Sequence, residues 1–217
     1  MVSRHLAKHE RSRLGVALVI LAILSPVSQA DFSGSLYSSY GGLVGLGFWA
    51  AGTNLSWTVA EGSGYWRYVY TLEVPAHDIS HMIVEVSDNF DDNNLWNVSW
   101  TGPVDVETFD PGPGNPGMPG SMHGVKFDET VGTTLTISFD SNRMPVWGDF
   151  YAKDGTGTYL YNSGFLADDP VVAAHDGAEQ GHLLRPDTVV PVPGAMLLGS
   201  IGLVSAGRLL RRKKQLA

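Results

Sequence analysis

The stretch Ser87-Asp88-Asn89-Phe90-Asp91-Asp92-Asn93-Asn94 places six Asp or Asn side chains within eight residues. Hard oxygens at that density suit calcium, which takes about six to eight oxygen ligands. Asp88, Asp91 and Asp92 are the candidate ligands. The spacing departs from the helix-loop-helix calcium loop, which needs a central Gly and a closing Glu. The same residue types also favour plain solvated turns. His77 and His81 stand four apart, a spacing that on a helix would give a metal two imidazoles on one face. Pro75 ahead and an alternating run behind favour a loop leading into a strand, with both histidines on the surface. His175 and His182 have no convergent partner. No Gly-x-Ser-x-Gly elbow is present, and Gly62-Ser63-Gly64 reads as a turn. Asp105 and Glu107 share one strand face, but nothing marks the cleft across which a glycosidase sets two carboxylates about 5–9 Å apart. No catalytic residue is assigned, and an enzyme is not expected. With no cysteine, thiol catalysis and Cys-based metal sites drop out.

The aromatic residues offer a binding chemistry. Trp49, Trp57, Trp66, Trp96, Trp100 and Trp147 are the six tryptophans. Flat rings stack on sugar faces, and they also fill cores. Trp66 falls on the apolar side of its run and reads as core. Trp96 and Trp100 share a parity beside the Asp-rich turn. If that face is exposed, they form a carbohydrate-binding pair.

The elements that must position these residues have a period of two. In the run from Tyr65 to Val74, Trp66, Tyr68, Tyr70, Leu72 and Val74 face one way, and Arg67, Thr71 and Glu73 the other. That is a half-buried strand. Met82, Val84 and Val86 alternate with His81, Ile83 and Glu85, and Leu135, Ile137 and Phe139 with Thr134, Thr136 and Ser138. Shorter strands are expected at Leu55 to Val59, Leu95 to Trp100, Val104 to Phe109, His123 to Phe127, Val146 to Ala152 and Thr158 to Phe165. Gly, Pro, Asn and Asp clusters punctuate them. Eight to ten short strands and no long amphipathic helix predict an all-β fold, an antiparallel β-sandwich or jelly roll. Pro111 to Gly120 is a Pro/Gly-rich loop without the strict period of collagen, expected as a flexible or partly polyproline excursion.

The two ends carry addresses. Arg4, Lys8, Arg11 and Arg13 precede an apolar run from Leu14 to Leu24, and Ser28-Gln29-Ala30 is a small-x-small site. This is the layout of a secretory signal cleaved between Ala30 and Asp31. At the other end, Val190-Pro191-Val192-Pro193-Gly194-Ala195 opens an apolar stretch. Arg208, Arg211, Arg212, Lys213 and Lys214 close it as a stop-transfer cluster, held in the cytoplasm by the positive-inside rule. The domain plan is therefore a signal peptide (1–30), a β ectodomain (31–166), an acidic stalk or last loose strand (167–189) and a sorting tail with a transmembrane helix (190–217).

Nine of the 14 basic residues lie in the two terminal segments, and Glu10 is their one acid. The middle keeps Arg67, Lys126, Arg143, Lys153 and Arg185 against 21 acids, so it carries about −16 where the whole chain carries −8. Such a domain repels phosphate backbones, and nucleic acid is excluded as a partner. Divalent cations, basic partners and plain solubility fit it.

The tail resembles the PEP-CTERM sorting signal of bacterial surface proteins. The resemblance rests on Pro191-Val192-Pro193-Gly194-Ala195, the apolar stretch from Met196 to Leu203 and the basic cluster from Arg208 to Lys214. Val192 stands where that family has Glu between two prolines. The resemblance implies recognition by an exosortase, attachment to the membrane through the tail before processing, and a place in the envelope or outside the cell. It also implies bacteria that make exopolysaccharide and biofilm. It transfers sorting rather than activity. The expected role is a structural or interaction protein of the envelope or biofilm matrix. The alternative is a carbohydrate-binding module with a Trp pair and possible calcium. A secreted hydrolase is the least supported reading.

Overall fold

The structure, a computed structural model, describes residues 31–130 and 132–187. Expectations placed on the two ends lie outside these residues: Ala30, the motif Val190 to Ala195, and the cluster Arg208, Arg211, Arg212, Lys213 and Lys214. Among the described residues, no helix is long and apolar enough to cross a membrane.

The described chain is all-β. Its strands are β1 (Asp31–Tyr37), β2 (Leu43–Gly45), β3 (Asn54–Glu61), β4 (Trp66–Glu73), β5 (Ile79–Glu85), β6 (Leu95–Trp96), β7 (Val104–Phe109), β8 (Met122–Phe127), β9 (Thr134–Ser141), β10 (Pro145–Gly148), β11 (Phe150–Asp154), β12 (Tyr159–Asn162) and β13 (Leu183–Pro186). One antiparallel sheet runs β1-β3-β4-β9-β6, a second β2-β12-β11-β5-β8-β7, and β10 pairs with β13 in a third.

The alternating pattern produces the first sheet. Leu55, Trp57 and Val59 on β3, Tyr68, Tyr70 and Leu72 on β4, and Leu135, Ile137 and Phe139 on β9 are buried. The register sets Tyr70 opposite Ile137 and Leu72 opposite Leu135, so the apolar faces coincide across the sheet. Met82, Val84, Val125, Phe127, Phe150, Ala152 and Leu160 give the second sheet its inner face. The Phe139 ring lies 5.4 Å from Tyr68 on its own sheet and 6.1 Å from Phe127 on the other. The two sheets thus share one core, in a sandwich-like arrangement. Tyr68 Oη donates to the Arg143 carbonyl and Tyr70 Oη to the Leu184 carbonyl, so neither buried hydroxyl is unsatisfied.

Several expectations need correction. β5 was expected to alternate, yet His81, Met82, Ile83 and Val84 are all buried. The reason is the Pro/Gly loop, which covers the outer face of the second sheet. Tyr151 Oη donates to the Pro116 carbonyl at 2.7 Å, and His81 Nε2 bonds Asn115 Oδ1 at 3.1 Å. Met118 from the loop joins Ile83, Phe109, Met122, Tyr151 and Phe165 in a second small core. The loop is therefore a packed cover. Leu95 to Trp100 shrinks to the two residues of β6, because Asn97 takes a left-handed φ of 49° and turns the chain. Val146 to Ala152 is two strands, broken at Asp149, where the chain leaves β10 and its partner β13 for β11 and its partner β5.

The segment 167–189, expected as a stalk or loose strand, is corrected most. Its residues Leu183–Pro186 form β13 and are buried. β13 touches β1 and β3 of the first sheet and β5 of the second, so it plugs the space between them. The stretch before it is tied to β1: Ser33 N donates to Asp176 Oδ1, and Gly177 N to the Ser33 carbonyl.

Candidate functional site

The expected residues distribute unevenly. In the Asp-rich turn, Asp91 caps the short 3-10 turn Asp92–Asn94, with Asn93 N donating to its carboxylate at 2.9 Å. Asn94 Oδ1 accepts from Asp91 N and from Arg143 Nη2, and Arg143 Nη2 also donates to the Asn89 carbonyl. Local hydrogen bonds thus occupy the Asp91 carboxylate, while Asp88 and Asp92 are exposed. The three carboxylates do not converge. Among the described residues, the group of acids and histidines that does converge lies elsewhere.

The tryptophans separate. Trp96 is 36 % exposed at the edge of the first sheet, with Tyr65 edge-on at 6.4 Å. Trp100 packs against the core, and its Nε1 donates to the Asp128 carbonyl at 3.1 Å. The turn at Asn97 removes the shared parity. Near Trp96, Arg67 makes a two-point ion pair with Asp140, which also accepts from Asn97. The Arg67 and Asn97 hydrogen bonds hold the Asp140 carboxyl below the usual carboxylate range. An aromatic pair flanked by fixed polar groups results, with Tyr65 in the place expected for Trp100.

The converging set was not foreseen. Asp149, Asp169 and His182 each offer one ligand atom, all within 4.8 Å of one another. Asp149 sits at the corner between β10 and β11. Asp169 comes from the segment after β12, and His182 immediately precedes β13. A tight turn presents the histidine: Gln180 and Gly181 both have left-handed φ, and His182 N donates to the Glu179 carbonyl. The same carbonyl lies 3.2 Å from His182 Nδ1. His182 Nε2 faces Asp149 Oδ1 at 3.6 Å and Asp169 Oδ1 at 3.7 Å.

Charged neighbours complete the cluster. Arg185 Nη2 donates to Asp169 Oδ2 at 2.7 Å, its Nε lies 3.1 Å from Glu85 Oε2, and Asp149 N donates to that same Glu85 oxygen. Burial pushes the Glu85 carboxyl up to about 7, with Arg185 opposing the shift. Burial also raises Asp149, against the hydrogen bond from Asn162. Arg185 would lose basicity through burial, but Glu85 and Asp169 outweigh that and raise it. Two glycines leave the required room. A Cβ at Gly164 would lie 2.4 Å from the His182 ring, and one at Gly148 would overlap Arg185. Two open grooves of about 440 and 360 Å³ meet at Arg185 and Asp187, the second lined also by Asp169 and Trp147. A sequence signal for this site does exist: Asp149 interrupts an apolar run, and His182 and Arg185 bracket Leu183-Leu184. Charged residues inside apolar stretches are costly unless paired, so their partners had to be near.

No family model, curated protein or solved structure matches this chain.

Proposed function

We propose that this chain is an exported, surface-sorted structural or interaction protein of a bacterial envelope or biofilm matrix, whose tail an exosortase recognises. The observation that carries the reading is the three-part order at the C-terminal end: Pro191-Val192-Pro193-Gly194-Ala195, then an apolar stretch, then Arg208 to Lys214. A signal-like segment at 1–30 supports it, as does an acidic β domain of about −16 whose two-sheet sandwich would serve as a scaffold. Expression in an exosortase-bearing host, with and without that enzyme, tests it. The expected result is a mature N-terminus at Asp31, envelope or extracellular location, and exosortase-dependent loss of the tail. Full-length protein retained in the cytoplasm would overturn the reading. A tail that stays intact beside active exosortase would assign Val192 to a retained anchor and remove the enzyme as a partner.

A second reading, a carbohydrate-binding module, is favoured by the exposed Trp96 beside Tyr65 and the ordered Arg67, Asn97 and Asp140. Ring stacking with hydrogen-bonding neighbours is how sugar faces are held. A glycan panel read against Trp96→Ala separates the two. Equal profiles for both proteins leave the scaffold reading alone.

A further inference from the structure

We propose that Asp149, Asp169 and His182 form a binding site for one divalent zinc-type ion, which fastens the final segment of the domain to the corner between β10 and β11.

The argument starts from the histidine. His182 is 0 % exposed, and its Nε2 has no hydrogen-bond partner. A buried polar atom left unsatisfied is destabilising, so such an atom in a well-packed site points to something that completes it. Its Nδ1 is placed to donate to the Glu179 carbonyl, which leaves Nε2 as the lone-pair nitrogen. That lone pair is aimed between two carboxylate oxygens, and three electron-rich atoms around one point call for a cation.

The distances fit an ion better than direct hydrogen bonds. Separations of 3.6 and 3.7 Å are too long for N–H···O bonds. Two ligands about 2.0–2.1 Å from a tetrahedral zinc ion stand roughly 3.4 Å apart, close to the two distances from His182 Nε2, and all three ligand atoms lie within 4.8 Å of one another. The imidazole favours zinc and its neighbours in the transition series over calcium and magnesium, whose sites are built from oxygen. Three protein ligands leave the fourth position to water. Asp169 is 32 % exposed and borders the 360 Å³ groove, which gives ion and water a way in.

The outer groups are arranged as metal ligands require. Asn162 Nδ2 donates to Asp149 Oδ1 at 2.6 Å and to the Gly181 carbonyl at 2.9 Å, while its Oδ1 accepts from Phe150 N. Arg185 fixes Asp169 through its other oxygen, Oδ2. Every ligand side chain therefore has a second group that sets its orientation. The bare glycine at 164 lets the imidazole lie flat against the backbone. The ligands come from the β10–β11 corner, the segment after β12 and the turn before β13, so one ion would hold three separate pieces of chain.

The test uses the full chain, stripped with a chelator and titrated with zinc chloride by calorimetry and thermal unfolding, with calcium and magnesium in parallel. One equivalent of zinc is expected to bind, and the midpoint to rise by roughly 5–10 °C at a hundredfold excess over Kd. Cobalt should give a visible spectrum of a low-coordinate site with a nitrogen ligand. Asp169→Asn, at a partly exposed position that keeps an acceptor for Arg185, should lower zinc affinity at least a hundredfold while the apo protein still unfolds cooperatively. His182→Gln should abolish binding. Asp88→Asn should bind as wild type does. Zinc affinity unchanged in Asp169→Asn would overturn the site, as would an unmoved midpoint. So would an Nε2-bound proton on His182, seen by NMR in excess zinc, because the histidine would then be an imidazolium paired with the two carboxylates.

Discussion

His81 shows how one side chain can make stability depend on pH. It is 3 % exposed, hydrogen-bonded to Asn115 under the Pro/Gly loop, and its pKa is lowered from 6.5 to about 4, chiefly by burial and then by Lys126. Between those values the unfolded chain binds a proton that the folded chain refuses. The contribution is therefore complete above pH 6.5 and lost as pH falls toward 4, a change on the order of 3 kcal/mol. Urea denaturation of wild type and His81→Gln at pH 7, 5.5 and 4 measures it, and the wild type should lose more over that interval. Gly164→Ala makes a second residue-scale prediction. The new methyl meets the His182 ring, and the variant should lose about 1–3 kcal/mol in the same assay. Neither residue announced this in the sequence. A lone His at the start of an alternating run reads as surface, and Gly164 falls unremarked inside the stretch Thr158 to Phe165 expected as a strand, until the elements that press on them are in place.

Two elements carry the domain's less obvious stability. β13 brings Leu183 and Leu184, both fully buried, between the sheets. Leu184→Ala should cost about 2–5 kcal/mol in chemical denaturation, the range for emptying a packed site. The Pro/Gly loop is held by few polar bonds. Tyr151→Phe removes the bond to the Pro116 carbonyl, and should cost about 0.5–1.5 kcal/mol and raise amide exchange across residues 110–120 relative to the strands beneath. β3, β4 and β9 were legible because one face of each is the more exposed and the other meets the core, apart from the end of β9, where Asp140 and Ser141 are also buried. β5 was legible as a strand, but the covering of its second face was not, and β13 escaped as a packed strand because both of its faces are covered and a doubly buried strand has no period to read. β1 was missed for a different reason: its Ser and Gly content hides a strand that is held by pairing with β3 along its whole length.

For the molecule as a whole, the important boundary is the one between domain and tail. A fragment of residues 31–166 lacks β13, His182 and Arg185, and should lack cooperative unfolding and dispersed amide signals. A fragment of residues 31–187 should show both. Heteronuclear NMR and a thermal melt distinguish them. The sequence by itself determined the chemical character of this protein: all-β by its period of two, strongly acidic in its middle, without thiols, and with its basic residues gathered beside apolar stretches at the two ends. These are sums and local patterns, which need no neighbour to be defined. Only the tertiary structure decided which polar groups act together. Asp91 and Asn94, three positions apart in the Asp-rich stretch, cap their own turn. Asp149, Asp169 and His182, spread over 34 positions, meet at a buried point. Adjacent polar residues satisfy one another through local hydrogen bonds, whereas a buried histidine and two acids come together only when strand pairing and core packing bring distant segments to one corner.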